Sequence, residues 1–333
     1  MTASDQSTIL QLQGVSRTFA GRPTLRQWLT RRPPLTLAVR DVSLTVARGK
    51  VLGVIGESGS GKSTLGYLIA NLEQLSGGRI LFHGKTITGM GTSDLRAFRR
   101  KVQVIFQDSM ASLNPRRRVV WAIKDALRLA GVPAAQRESR THELVQLVGL
   151  SMGHLHHYPH ELSGGQRQRI GIARALAMGP EVVVADEPVS ALDVSLQGQI
   201  VNLLMELRTK LGLTIVLISH DLAVVRNVSD MTAVMFGGRV VEYGLTEDII
   251  ADPQHPYTQE LIAAVPKGIP AKGERAPREA APAEDIDHAA IEGCPYAIRC
   301  AHVMAVCRRA IPARTSLKHE HWTICHLHAD QQL

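Results

Sequence analysis

Short apolar runs punctuate the chain at Val51–Ile55, Val102–Phe106, Val182–Ala185, Leu213–Ile218 and Thr232–Phe236. Their length and β-branched content predict buried strands. Between them, Lys62–Leu72, Gly164–Met178, Ser195–Lys210 and Leu222–Val228 carry apolar residues at helical spacing. Strands alternating with helices predict an α/β domain around a mainly parallel sheet. Between Ala111 and His160 the strand signals vanish, and Trp121–Ala130 and Arg137–Val148 read as helices. This helical insertion spans about residues 108–165 of a domain predicted over 8–265. Gly21–Pro34, rich in Arg and Pro, reads as a surface loop, and Lys267–Asp287 as the body of a linker over 266–290. A short tail, 291–333, holds all four cysteines. No segment repeats, so each chain carries one copy of the domain.

Two strand ends carry candidate chemistry. Val51–Ile55 runs into Gly56-Glu57-Ser58-Gly59-Ser60-Gly61-Lys62-Ser63-Thr64 and then a helix. This is G-x-x-x-x-G-K-[ST] in its required strand-to-helix setting. Glycines let backbone N–H groups form an anion nest, and the helix N-terminus faces the phosphates. Lys62 supplies a point charge for the β- and γ-phosphates, and the Ser63 hydroxyl a ligand for Mg²⁺. The strand Val182–Ala185 ends in Asp186-Glu187. In parallel sheets, ligand sites lie at the carboxyl ends of strands, so both acids are expected beside the cradle. Asp186 is expected to serve Mg²⁺ through a water, and Glu187 to act as general base on the attacking water. A third motif, Leu162-Ser163-Gly164-Gly165-Gln166, opens a helix with a Ser and two glycines and makes a second anion site.

On these motifs the chain resembles the ATP-binding cassette family, from about Leu10 to Val265. The resemblance implies a P-loop NTPase fold with an antiparallel β part near the N-terminus. It also implies head-to-tail pairing with a second ATPase subunit, identical or paralogous. Each ATP would lie between the cradle of one subunit and Ser163, Gly164, Gly165 and Gln166 of the other. Phe106-Gln107-Asp108 resembles the Q-loop, with Gln107 near Mg²⁺ and the attacking water. Ser190-Ala191-Leu192-Asp193 resembles the D-loop, and Ser219-His220-Asp221 the switch region, where His220 contacts the γ-phosphate. Phe19 fits the aromatic that stacks on adenine. The runs Ala111-Ser112-Leu113-Asn114-Pro115 and His255-Pro256-Tyr257-Thr258, with the cysteine tail, look like the oligopeptide and dipeptide importer ATPases. That branch implies two membrane permeases, an extracytoplasmic solute-binding protein, and a peripheral position on the cytoplasmic face of the inner membrane. Peptide is the favoured solute, and nickel chelates or glycosides stay open.

Charge and cysteine content refine this picture. Lysine and arginine exceed acidic residues, for a net charge of +8. That suits an anionic neighbour without choosing among nucleotide, acidic lipid and nucleic acid. An ATPase acting on nucleic acid is therefore the rival reading, though no nucleic-acid partner is expected, because neither a second cassette nor a coiled-coil arm is present. No apolar run reaches the roughly 18 residues of a membrane span. The start lacks a secretory pattern, so a cytosolic protein with reduced thiols is expected. Cys294, Cys300, Cys307 and Cys325 follow C-x5-C-x6-C-x17-C, a spacing that names no metal. The family resemblance implies a [4Fe–4S] cluster on these four. Zinc completed by His321, His326 or His328, and plain reduced thiols, are the alternatives. The histidines 154, 156, 157 and 160 read as a loop before the helix that Gly164 begins rather than as a metal site.

Overall fold

The structure is a computed structural model that describes residues 8–20, 35–264, 292–318 and 320–332. The expected loop at Gly21–Pro34 and the linker at Lys267–Asp287 lie outside the described residues.

The elements, in chain order, begin with strands β1 (Thr8–Ala20), β2 (Leu35–Ala47) and β3 (Val51–Ile55), helix α1 (Lys62–Ile69), and strands β4 (Gly77–Phe82) and β5 (Lys85–Thr86). Next come α2 (Thr92–Lys101), β6 (Val102–Ile105), α3 (Val120–Leu129), α4 (Arg137–Leu147), α5 (Gly164–Leu176) and β7 (Val182–Asp186). Then follow α6 (Val194–Leu211), β8 (Thr214–Ile218), α7 (Leu222–Val228), β9 (Met231–Phe236), β10 (Arg239–Leu245), α8 (Thr246–Ala251) and α9 (Pro256–Ala263). The tail adds β11 (Thr315–Lys318) and β12 (His321–Thr323). Helix α1 stops at Ile69, short of the predicted Leu72, because Asn71 takes a left-handed turn at φ 52° that its short polar side chain tolerates.

A large sheet has the order β11-β12-β10-β9-β3-β8-β7-β6, and a smaller antiparallel sheet the order β2-β1-β4-β5. Five neighbouring strands of the large sheet, β9-β3-β8-β7-β6, run parallel. The three middle strands, β3, β8 and β7, are buried at every residue, as apolar runs must be when both faces of a parallel sheet are covered. Successive side chains point to opposite faces. Val51, Ile55, Val183, Ala185, Ile215 and Leu217 enter one core with α3 to α6. Leu52, Val54, Val182, Val184, Val216 and Ile218 enter the other, against α1, α2 and the small sheet. Among the described residues no strand interrupts 106–181, and α3, α4 and α5 pack together there through Ile123, Leu127, Leu144, Val145 and Ile170.

The tail does not stand apart from this body. Strand β12 pairs antiparallel with β10, Tyr243 opposite Trp322 and Glu242 opposite Thr323. Trp322 is buried and stacks on Tyr243 at 5.7 Å. Cys294, Tyr296, Ala297 and Cys307 join the same core as α3 to α6.

Candidate nucleotide site

The cradle leaves the buried end of β3 and turns into α1. Gly56 has φ 151° and Gly61 φ 98°, and a side chain at either would meet a backbone carbonyl, that of Met235 at 2.2 Å or of Ala38 at 2.1 Å. Only glycine fits both demands. Ser58 and Gly59 form the exposed crown of the loop, and Thr64 sits half-buried in the first turn of α1. Lys62 folds back over the loop and donates from Nζ to the carbonyls of Gly56 and Glu57, each at 2.7 Å. Burial lowers its pKa, and the nearby Glu187, Asp186 and Glu57 oppose that shift. A phosphate brought to the loop would compete with those carbonyls for the ammonium. The Ser60 hydroxyl is buried in the loop without a protein partner.

Three neighbouring strands end beside β3, and register sets their order. Ile105 of β6 pairs with Ala185 of β7, Asp186 with Ile218 of β8, and Ile218 with Val54 of β3. Gln107, Glu187 and His220 therefore leave adjacent carboxyl ends in a row. Gln107 Nε2 donates to Glu187 Oε2 at 3.0 Å, and His220 Nδ1 lies 3.2 Å from the same oxygen. Ser63 Oγ donates to Asp186 Oδ1 at 2.8 Å. Tyr67, which sequence reasoning missed, lies close to Asp186, and burial together with that carboxylate pushes its pKa up to about 12. Glu187 sits at φ 43°, a left-handed conformation costing an ordinary residue about 1–2 kcal/mol. Its N–H is held by Ile218 O at 3.0 Å and its carbonyl by the Ser190 hydroxyl at 3.1 Å.

Ser163 caps α5 with Gln166 in a reciprocal pair. Gln166 N–H donates to Ser163 Oγ at 3.3 Å, and Ser163 N–H to Gln166 Oε1 at 2.9 Å. The Gln166 amide also meets His154 Nε2 at 3.0 Å, and Ser151 Oγ holds His154 Nδ1 at 2.8 Å. A side chain at Gly164 would strike Leu192 at 2.9 Å, and Gly165 packs on Leu196, so α5 starts against the 190–193 loop. Asp193 is exposed at the start of α6. No hydrogen bond among the described residues joins Ser163–Gln166 to the cradle of the same chain. Phe19 lies on β1 opposite Thr36, two residues from the Ala38 carbonyl that abuts Gly61, and its ring is covered by Arg17 at 4.4 Å.

The four cysteines are free thiols that line one small pocket with His302 and His326. Burial raises the pKa values of Cys294 and Cys300, and that of Cys325 to about 11, and neighbouring thiols add to each shift. Among the described residues, however, no three His, Cys, Asp or Glu side chains are placed to hold a metal ion. The thiols converge without forming a ready ligand cage. His321, held in reserve as a zinc ligand, is instead bonded to the buried Glu242 at 2.9 Å.

A glycine-lined phosphate loop, a hydroxyl–carboxylate pair and a second carboxylate held by an amide and an imidazole define a P-loop nucleotide hydrolase. The comparisons narrow this class. Residues 39–190 match the ABC transporter family, and residues 241–307 match the C-terminal region of oligopeptide/dipeptide transporters. The oligopeptide transport ATP-binding protein AppF of Bacillus subtilis is 40% identical over 99% of this chain and 100% of its own length. The dipeptide transport ATP-binding protein DppF of Lactococcus lactis is 46% identical over 75% of this chain and 82% of its own. A dimeric cassette, MJ0796 bound to ADP and Pi, superposes with a TM-score of 0.61 at 27% identity, over 72% of this chain and 99% of that one. The cbiO1 subunit of Clostridium perfringens gives 0.63 at 27% identity, over 74% and 92%. The chain belongs to the ABC transporter family, among the ATP-binding proteins of its oligopeptide/dipeptide branch.

Proposed function

We propose that this chain is the ATPase of a peptide importer and works as one of a pair, each ATP lying between the cradle of one subunit and Ser163–Gln166 of the other. The observation that carries this reading is a divided site. Gln107 and His220 converge on one oxygen of Glu187 beside the cradle, while among the described residues no hydrogen bond joins the capped start of α5 to that cradle. A lone subunit thus holds the base but only one of two phosphate grips. Closing the pair completes the site, which ties hydrolysis to motion.

Within the pair, Glu187 takes a proton from the attacking water, His220 faces the γ-phosphate, and Lys62 leaves its two carbonyls for the phosphates. Ser63, Asp186 and Gln107 offer the hard oxygen donors that suit Mg²⁺, which neutralises phosphate charge when bound. Asp193 and the 190–193 loop face the partner subunit. Phe19 is assigned to stack on adenine, a role supported by its place opposite Thr36, two residues from the Ala38 carbonyl that abuts Gly61.

A cavity of ≈ 340 Å³ between the Ser112–Arg118 loop and α3, lined by Asn114, Arg117, Trp121 and Arg174, is read as the surface that meets the permeases. By its likeness to transport ATP-binding proteins the chain would attach peripherally at the cytoplasmic face; among the described residues no helix is long and apolar enough to cross a membrane. A solute-binding protein would deliver the peptide. The cysteines are assigned to a [4Fe–4S] cluster, with zinc as the alternative. That assignment rests on the family resemblance and on four free thiols lining one pocket, though no three of them are placed around a common ion in this structure; iron and zinc content of anaerobic protein decides between the metals, and the absence of both would leave plain reduced thiols.

Glu187→Gln tests the catalytic core. It should bind ATP as the wild type does and lose at least about a hundredfold in turnover, the scale of a general base. Turnover at the wild-type rate would remove Glu187 from the mechanism. Peptide-stimulated ATPase activity with the permeases in vesicles tests the cargo.

A further inference from the structure

Glu57, the second residue of the cradle, is gripped from the far end of the chain. Its backbone N–H donates to the Tyr257 hydroxyl at 2.8 Å. Its carboxylate accepts from Arg299 Nη1 at 2.9 Å. Its carbonyl is one of the two perches of Lys62. The peptide unit before Glu57 and the Glu57 side chain are therefore set by residues 200 and 242 positions away.

Both grips are themselves held. Arg299 places its second arm on Glu260 of α9 at 2.6 Å, and Tyr296 bonds the other oxygen of that carboxylate. Tyr257 is fully buried, with its ring 4.6 Å from Phe236 and 5.5 Å from Tyr296. The turn that delivers Tyr257 hangs on Glu242 of β10, a fully buried carboxylate. Glu242 accepts from the N–H groups of Gln254 at 2.8 Å and His255 at 2.9 Å, and it bonds His321 of β12. His255 then caps α9 by accepting the Tyr257 N–H at 3.1 Å. Arg299 precedes Cys300, which lines the cysteine pocket, and the N–H groups of both are held by the carbonyl of Tyr296, another lining residue, at 3.0 Å.

We propose that Tyr257 and Arg299 are positioning residues for the phosphate cradle, so that α9 and the cysteine tail set nucleotide affinity through Glu57. Neither touches phosphate. They hold the loop in the shape that presents Lys62 and the remaining N–H groups, and the nucleotide then meets a loop already ordered. This inference rests on the reading of Gly56–Thr64 as the phosphate site.

The test is titration of the full-length chain with a fluorescent ATP analogue, beside steady-state kinetics and thermal unfolding. Tyr257→Phe removes one hydroxyl from a buried ring and keeps its packing. It should weaken binding roughly fivefold, the scale of one neutral hydrogen bond. Arg299→Ala should weaken binding by a similar factor, and Arg299→Lys should restore part of it. For each, KM should rise with Kd while kcat stays within about twofold, because the groups that act on the water are untouched. In a Glu57→Ala background, which leaves Arg299 no side-chain acceptor at that position, Arg299→Ala should weaken binding no further. Affinity unchanged in both Tyr257→Phe and Arg299→Ala, with only a lowered unfolding temperature, would overturn the inference and leave these residues as fold supports. A wild-type chain that binds no nucleotide would overturn the phosphate-site reading itself.

Discussion

Glu242→Gln is the most demanding test of how the tail is fastened. The carboxylate is buried completely and accepts from Gln254 N–H, His255 N–H and the His321 ring. An amide of the same shape keeps one acceptor oxygen and turns an NH₂ toward groups that also donate. At least one buried donor loses its partner, and the rest lose a charged one. Hydrogen bonds to charged groups contribute about 1.5–3 kcal/mol, and an unsatisfied buried donor costs about 1–3 kcal/mol. Two such losses, not fully additive, come to roughly 3 kcal/mol. For a large domain about 2–4 °C of Tm follows each kcal/mol, so Tm should fall by roughly 6–12 °C. Thermal unfolding of wild type and variant at neutral pH measures this. A Tm within a degree of wild type would refute the reasoning, because it would mean that the three donors find other partners and that Glu242 does not anchor the Gln254–His255 turn.

Other perturbations probe other parts. Lys62→Ala removes the ammonium that sits over Gly56 and Glu57, and a binding titration should show affinity down by at least about tenfold, the loss of one charge-assisted contact. Gly61→Ala puts a carbon 2.1 Å from the Ala38 carbonyl at φ 98°, so nucleotide binding should be lost while β3 and its neighbours still fold, as circular dichroism would show. His255 is neutral in the folded chain, its pKa lowered to about 4 chiefly by burial. Unfolding lets it take up a proton at its ordinary value, so stability is full above about pH 6.5 and falls as pH drops toward about 4. The fall amounts to about 3 kcal/mol. Denaturant melts across that window should show it, and His255→Asn should flatten the slope.

The residues with chemistry to offer were legible where a motif ties residue type to local geometry. Gly56–Thr64 declares a turn and a helix start, and Asp186-Glu187 declares the end of a buried strand. Neither says how Gln107, Glu187 and His220 meet, because that depends on the register of β6, β7 and β8. Tyr67 gave no signal beyond its helical spacing from Ser63. His255-Pro256-Tyr257-Thr258 stood out only as a family mark, since the partner of Tyr257 is a backbone N–H 200 residues away. The tail was the hardest part to read. Strands β11 and β12 span only Thr315–Lys318 and His321–Thr323, too short for alternation to show.

Local steric and hydrophobic rules were enough, from the sequence alone, to determine the parallel α/β layout, the helical stretch between β6 and β7, and the phosphate loop. Each depends on residues within a few turns of one another. Only the tertiary structure decided that the cysteine tail extends the central sheet, that one oxygen of Glu187 receives both Gln107 and His220, and that Tyr257 and Arg299 hold Glu57. Those are pairings across long stretches of chain, chosen by which buried donors and acceptors satisfy one another once the core has closed, and no local pattern encodes them.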